Sequence, residues 1–201
     1  MIRRQIQHLA QQRLDQYPAV ALVGPRQCGK TTLAQMMGGL YFDLEQEPER
    51  LRVDLEWDSL EQSSELVILD EAQSWPELFP RLRGAIDRHR KRMGRFLLLG
   101  SVSPSLMTQV SESLAGRLSL VELTPFLQSE LKKRNQRDAL WLCGGFPDGG
   151  VLQRERFPRW QRDYLALLTQ RDLPSWGLQA RPQTTDRLLQ MLTAVHGQTW
   201  N

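Results

Sequence analysis

The chain has 201 residues, of which 40% are apolar and 24% charged, and its formal net charge is only +3. That length suits one medium domain, or one domain with a small appendage. No apolar run approaches the roughly 18 residues that cross a membrane, residues 1–16 lack the apolar core of a signal peptide, and two cysteines are too few for a disulfide framework or a metal site. We therefore expect a cytoplasmic protein that does not bind membranes.

Short apolar strands alternate with helical patterns up to about residue 124. Residues 2–16 have helical spacing of apolar side chains, and a helix is predicted again over 31–37. Continuous apolar runs are typical of strands that are buried on both faces of a parallel sheet. Five such strands are predicted, at residues 19–23, 40–44, 66–69, 96–99 and 118–123.

Charge is unevenly distributed between the strands. Residues 43–71, predicted to include a helix with loops over 45–64, hold eleven acidic side chains, whereas residues 81–95, within a predicted helix, hold seven basic ones. The basic stretch is interpreted as a solvated helix face, or as a surface for nucleic acid or another acidic partner. The opposite signs also suit head-to-tail contact between copies of the chain.

Helical patterns alone follow residue 124, over 126–137, 157–172 and 183–195. The predicted fold class is therefore α/β, with a parallel five-stranded sheet flanked by helices. We divide the chain into a core, residues 1–124, and a lid-like helical extension, residues 125–201.

A glycine-rich loop connects the first strand to the next helix. The spacing Gly24-x-x-x-x-Gly29-Lys30-Thr31 is that of a phosphate-binding loop, in which backbone N–H groups and the helix N-terminus attract an anion. Lys30 would reach the β- and γ-phosphates, and the Thr31 hydroxyl would bind Mg²⁺. The candidate nucleotide-binding residues are Gly24, Pro25, Arg26, Gln27, Cys28, Gly29, Lys30, Thr31 and Thr32.

The sequence LVILDE places two carboxylates at the end of the third strand. Beside a phosphate-binding loop, Asp70 is the expected Mg²⁺ ligand, and Glu71 is the expected group that polarises the attacking water. If the fourth strand lies between the first and third, Ser101 at its end faces the γ-phosphate. Ser101 would then orient the water, or it would simply cap a helix. Ser103 and Pro104 indicate that a short helix begins there.

Together, the segments GPRQCGKTTL, YFDLE, LVILDEAQSWPELFPRLRGAID, GRFLLLGSVSP, SESLAGRL, LWLCGGFP and RDLPSWG resemble the prokaryotic AAA+-type P-loop ATPases. The resemblance implies an additional-strand core and the cofactors ATP and Mg²⁺. It also implies that residues 24–32 form the phosphate loop, that Asp70 and Glu71 form the acidic pair, and that Ser101 is a sensor. Members of this family usually continue with a winged-helix segment and a nuclease-like domain of unknown function. We expect this chain to be the ATPase portion.

Arg117, in the sequence SLAGRL, is the first candidate for a cation that stabilises transition-state phosphate, and Arg171 is the second. Either arginine would otherwise form a structural ion pair. Arg117 follows a small-residue stretch, so it would project toward the site of a neighbouring copy if the chain self-associates.

Three functions fit these residues. The first is an ATP-hydrolysing switch or motor module. The second is a nucleotide-dependent interaction protein with little intrinsic hydrolysis, and the third is a small-molecule kinase. The pair Asp70-Glu71 argues against the kinase, because kinases with this loop often lack a glutamate directly after the aspartate.

Overall fold

A computed structural model describes residues 2–101, 104–195 and 197–198. The described residues form one sheet with strand order β2-β3-β4-β1-β5, and every neighbouring pair is parallel. The predicted α/β class is confirmed, and β4 lies between β1 and β3, as an additional-strand core requires. The strands are β1 Ala19–Val23, β2 Leu40–Asp43, β3 Val67–Asp70, β4 Phe96–Gly100 and β5 Leu118–Glu122.

Helices cover both faces of this sheet and continue beyond it. Those before β5 are α1 Ile6–Gln16, α2 Lys30–Met37, α3 Glu47–Leu55, α4 Trp57–Gln62, α5 Leu78–Arg88 and α6 Pro104–Ser113. Those after β5 are α7 Arg134–Cys143, α8 Phe157–Leu167, α9 Leu173–Ser175 and α10 Pro182–Ala194. A π-helical turn, Leu168–Asp172, joins α8 to α9.

The prediction of a helix over 126–137 is wrong. Only a single 3₁₀ turn, Gln128–Glu130, forms before α7 begins at Arg134. Glu130 explains the difference, because its buried carboxylate accepts hydrogen bonds from the backbone N–H groups of Gln5 and Leu127 and from the Arg4 side chain. Ser103, predicted to cap the helix that begins at Pro104, lies outside the described residues.

Alternate residues of the strands feed two apolar layers. Helices α1 and α2 pack on the layer that contains Val20 and Leu22. Helices α3 to α6 pack on the opposite layer, which contains Ala21 and Phe42. Because all five β1 side chains are buried, the sheet holds the loop that follows β1 on a fixed base. Burying one such aliphatic side chain contributes about 1.5–3 kcal/mol.

The basic α5 region binds the acidic segment of its own chain. Arg88 forms a two-bonded ion pair with Glu61, at 2.6 and 2.5 Å, and Arg81 pairs with Asp54. The guanidinium of Arg95 is buried and donates to the backbone carbonyl of Glu61 at 2.6 Å. The two stretches noted in the sequence are therefore joined within the chain by the ion pairs Arg81–Asp54 and Arg88–Glu61.

No helix among the described residues is both long and apolar enough to cross a membrane.

We predict that Glu61→Gln lowers the free energy of unfolding by about 1 kcal/mol, a value reduced for the exposure of Arg88. The hydrogen bonds from Arg88 lower the pKa of the Glu61 carboxyl below its ordinary 4.5. A lowered folded-state pKa gives stability that is fully present above pH 4.5 and is lost as pH falls through the lower value. The gap between parent and variant in urea denaturation should therefore shrink below pH 4.5. A gap that is independent of pH would contradict this reading.

Candidate active site

The loop between β1 and α2 has the backbone that anion binding requires. Gly29 has φ +100°, a conformation that glycine adopts without steric cost, and α2 begins at the next residue. The N-terminus of α2 therefore opens into the loop, where its free N–H groups attract an anion.

The Lys30 ammonium lies over the loop. Its Nζ donates to the carbonyl oxygens of Gly24 at 3.0 Å and Pro25 at 3.1 Å, and the residue is only 6% exposed. Carbonyl acceptors of this kind are weaker partners for an ammonium than phosphate oxygens are. The side chain is thus held at the place where a phosphate would bind it.

The Asp70 carboxylate, at the end of β3, accepts three hydrogen bonds. The hydroxyls of Thr31 and Tyr41 donate to its Oδ2 at 2.6 and 2.8 Å, and the Glu71 N–H donates to its Oδ1 at 2.9 Å. Burial and the bond to Asp70 raise the pKa of Tyr41 well above its ordinary value, so its hydroxyl stays protonated. Sequence reasoning missed Tyr41, which lies on β2 beside β3.

Thr31 and Asp70 suit a Mg²⁺ ion that takes its other ligands from phosphates and water, rather than a metal whose ligands all come from the protein. No cluster of three or more His, Cys, Asp or Glu side chains that could hold a metal occurs in the described part of the chain. Mg²⁺ usually takes one or two carboxylates together with substrate phosphates and water. One hydroxyl and one buried carboxylate in direct contact fit that pattern.

Glu71 lies between two cavities. It lines a cleft of about 660 Å³, which also contains Arg26, Gln27, Gly29, Lys30, Thr31 and Thr32, and it lines a smaller cavity of about 250 Å³. Its backbone is left-handed, with φ +51°, and its carboxylate accepts a hydrogen bond from Gln73. The carboxylate therefore borders both the loop and a separate small space.

Ser101 lines the same small cavity as Glu71. It follows β4, which lies between β1 and β3 as the sensor assignment assumes. Ser101 is 5% exposed, and its Oγ has no hydrogen-bond partner among the described residues. Its sensor role stays a prediction.

The cleft is larger than a phosphate requires. Its volume is within the range of about 300–1,000 Å³ that is common for small-molecule sites. Apolar side chains from distant segments line it as well, namely Ile2, Leu33, Met36, Phe126, Leu152 and Leu167. The chain thus supplies an apolar lining next to the phosphate loop.

Arg4 ties three segments together beneath the loop, and sequence reasoning missed it. Its Nε donates to both carboxylate oxygens of Glu130 at 3.1 Å. Its other nitrogens donate to the carbonyls of Cys28 at 3.1 Å and Thr124 at 2.6 Å, and the guanidinium stacks over Phe126 at 4.7 Å. The loop therefore rests on a buried cation from the N-terminal segment.

The helical extension contacts the loop from the other side. Arg26 pairs with the buried Asp172 at 3.3 Å, and Gln27 accepts a hydrogen bond from Trp160 Nε1 at 2.7 Å. Arg171 pairs with Glu45 at 3.0 Å across the small cavity that both line. Movement of this extension would therefore move side chains of the loop.

Arg117 lies away from its own chain's loop. It precedes β5, whose first residue pairs with the first residue of β1, so Arg117 lies at the amino edge of the sheet, opposite the loop. Its guanidinium binds both carboxylate oxygens of Asp87 at 2.8 Å and lowers the pKa of Asp87. A catalytic role for Arg117 stays a prediction, and it requires a second copy of the chain.

Cys28 is a packing residue within the loop. The side chain is fully buried, and burial raises the pKa of its thiol above the ordinary value. An activated thiolate is therefore not formed at neutral pH.

The chain is similar in sequence to known proteins. The model of a family described as an AAA domain matches residues 16–132, more than half of the chain. Uncharacterized proteins of Mycobacterium tuberculosis and Mycobacterium bovis are each 38% identical over 193 residues. The matched region covers 94% of this chain but only 43% of either relative, so the chain spans less than half their length.

A solved structure has the same fold. A Walker-type ATPase of Pyrococcus abyssi matches with a TM-score of 0.56, covering 97% of this chain and 77% of that protein. At 16% sequence identity, this likeness concerns the fold alone.

We predict that Arg4→Met lowers the free energy of unfolding by about 3–5 kcal/mol, because the buried Glu130 carboxylate loses its partner. The double variant Arg4→Met/Glu130→Gln should recover part of this loss. The matched control is Arg3→Met, since Arg3 is exposed. Urea denaturation measures all three variants, and equal small losses for Arg3→Met and Arg4→Met would contradict the assignment.

Proposed function

The chain belongs to the AAA domain family of P-loop ATPases, and on this premise we propose that it binds ATP with Mg²⁺ and hydrolyses it as a switch or motor module. One observation carries the proposal. The Thr31 hydroxyl and the Asp70 carboxylate meet at 2.6 Å, and Thr31 lines one cleft together with Lys30 and Glu71.

Each residue of the candidate site has a separate role in the proposed hydrolysis. Lys30 exchanges its two carbonyl acceptors for phosphate oxygens, and the N–H groups of the loop hold the phosphates in place. Thr31 and Asp70 would hold Mg²⁺, which neutralises phosphate charge when bound. Glu71 accepts a proton from the water that attacks the γ-phosphorus.

ATP is proposed as the nucleotide on the strength of the family resemblance. The apolar lining of the cleft, including Ile2 and Phe126, suits the faces of a purine base. Because both purines are planar, the choice between adenine and guanine has to be measured. The test is to titrate ATP and GTP separately with Mg²⁺ and to follow both binding and phosphate release without an added acceptor.

The second candidate is a nucleotide-dependent interaction protein with little intrinsic hydrolysis. Two observations favour it: Arg26 is paired with Asp172, and Arg171 is paired with Glu45, next to Glu71. Because both guanidinium groups already bind carboxylates, they would neutralise the negative charge of the transition state poorly until a partner separates these ion pairs. Tight ATP binding with less than one turnover per chain would favour this candidate over the first, whereas turnover only with an added acceptor would indicate a kinase.

We also propose a cytoplasmic location, and we treat a nucleic-acid or protein partner at residues 81–95 as a separate hypothesis. Arg81, Arg88 and Arg95 of that stretch are engaged within the chain, which weakens this hypothesis. Salt-dependent binding to duplex DNA, compared between the parent and Arg83→Gln, tests it directly.

We predict that Glu71→Gln retains ATP and Mg²⁺ binding but lowers kcat by roughly 10²–10⁴-fold, the usual contribution of a general base. The amide keeps the size of the side chain and removes the proton acceptor. Lys30→Ala is the contrasting variant, because it should lose tight ATP binding while its thermal unfolding stays close to that of the parent. Unchanged phosphate release by Glu71→Gln would show that another group positions the water.

We predict that, if Arg117 acts on a neighbouring copy, hydrolysis by this chain alone is slow and its rate rises more than linearly with protein concentration, so that specific activity increases with concentration. Arg117→Ala should then bind ATP normally and lose that rise, whereas Arg90→Ala, which removes the other cation paired with Asp87, should keep it. Sedimentation at the same concentrations reports assembly. Constant specific activity from a monomer, equal in parent and Arg117→Ala, would remove the role of Arg117.

A further inference from the structure

We propose that Gln73 is a positioning residue for hydrolysis: its amide fixes the Glu71 carboxylate and, together with Ser101, holds a water in the small cavity beside it. The inference rests on the proposed ATPase function and assigns a role that the phosphate loop and the acidic pair do not include.

The amide of Gln73 has a defined orientation. Gln73 lies in the 3₁₀ turn Ala72–Ser74 directly after Glu71, and its Nε2 donates to Glu71 Oε2. This bond turns the amide oxygen, Oε1, toward the interior. Oε1 is buried there without a hydrogen-bond partner among the described residues.

The end of β4 leaves room for this orientation. A Cβ atom built on Gly100 would lie 2.6 Å from Gln73 Oε1 and 2.7 Å from a methyl group of Leu106. Both distances are shorter than the distances that Cβ atoms keep from other heavy atoms in proteins. Glycine at the last position of β4 therefore makes the space that the Gln73 amide occupies.

Ser101 provides the second unsatisfied group. Its Oγ is likewise buried without a partner among the described residues, and Ser101, Gln73 and Glu71 line the same cavity. Unpaired buried polar atoms are rare in folded proteins, and ordered water commonly satisfies them. A cavity of about 250 Å³ has space for more than one water, each of which occupies about 30 Å³ in the liquid.

The water held by Gln73 and Ser101 is the nucleophile of the proposed hydrolysis. Its oxygen attacks the γ-phosphorus, the bond from that phosphorus to the β,γ-bridging oxygen breaks, and the bridging oxygen leaves with the electron pair on the diphosphate. One water proton passes to Glu71. Gln73 Oε1 accepts a hydrogen bond from the water, and the Ser101 hydroxyl donates one to it, so its lone pair is aimed at phosphorus.

The decisive variant is Gln73→Met, which keeps the length of the side chain and removes both hydrogen-bonding groups. We expect kcat for ATP hydrolysis to fall roughly 10–100-fold while KM and the Kd of ATP stay within about twofold. Gln11→Met is the matched control on an exposed part of α1, and it should leave kcat unchanged. Ser101→Ala should also lower kcat without lowering the thermal midpoint, since it removes an unpaired hydroxyl.

A double-mutant cycle separates positioning from general damage. Because Gln73 acts in part through Glu71, Gln73→Met should lower single-turnover phosphate release by a clearly smaller factor in a Glu71→Gln background than in the parent. An equal factor in both backgrounds would overturn the positioning role, as would an unchanged kcat in Gln73→Met. If Gln73→Met does not fold, Gln73→Leu, which also lacks both hydrogen-bonding groups and adds no charge, gives the same comparison.

The two proposals fail in different ways. A parent chain that binds ATP but releases no phosphate overturns the proposed hydrolysis, and the role of Gln73 with it. If the parent and Gln73→Met hydrolyse ATP at the same rate, only the role of Gln73 is overturned.

Discussion

The hydrogen bond between Thr31 and Asp70 joins the two halves of the candidate site, which are 39 residues apart in the chain. It forms because parallel strands bring their carboxyl ends to one edge of the sheet, where the loop after β1 and the carboxylates after β3 both lie. The placement of β4 between them adds Ser101 to the same edge. The half-buried Tyr41 of β2 then donates a hydrogen bond to the Asp70 carboxylate, so it helps to fix the orientation of this candidate metal ligand.

The phosphate loop is supported from two sides, and the two supports differ in kind. Arg4 provides a buried cation whose donors are directed at backbone carbonyls and at Glu130, an arrangement that is costly to break. On the other side, the side chains of Arg26 and Gln27 contact Asp172 and Trp160 of the helical extension. The first support holds the loop by its backbone, and the second holds it by two of its side chains.

The sequence was sufficient to predict features that depend on local pattern. Apolar runs predicted the strands, and the spacing from Gly24 to Thr31 predicted the loop. Side chains whose partners are remote in sequence could not be predicted in this way: Arg4 meets Glu130, and Trp160 meets Gln27, 126 and 133 residues away. Gln73 lies next to Glu71, but its role depends on the space left by Gly100, which only the packed sheet reveals. The acidic and basic stretches suggested external partners or contact between copies, yet in the fold Arg81 and Arg88 of the basic stretch pair with Asp54 and Glu61 of the acidic one.

The proposed function requires that Thr31 and Asp70 together hold a Mg²⁺ ion that ATP binding uses. Calorimetric titration with ATP, at zero and at saturating Mg²⁺, tests it most directly in the parent and in Thr31→Val, which removes the hydroxyl and keeps the shape of the side chain. We expect Mg²⁺ to strengthen ATP binding to the parent by at least about tenfold, or about 1.4 kcal/mol, and we expect Thr31→Val to lose most of this gain. An equal gain in both proteins, or none in the parent, would contradict it.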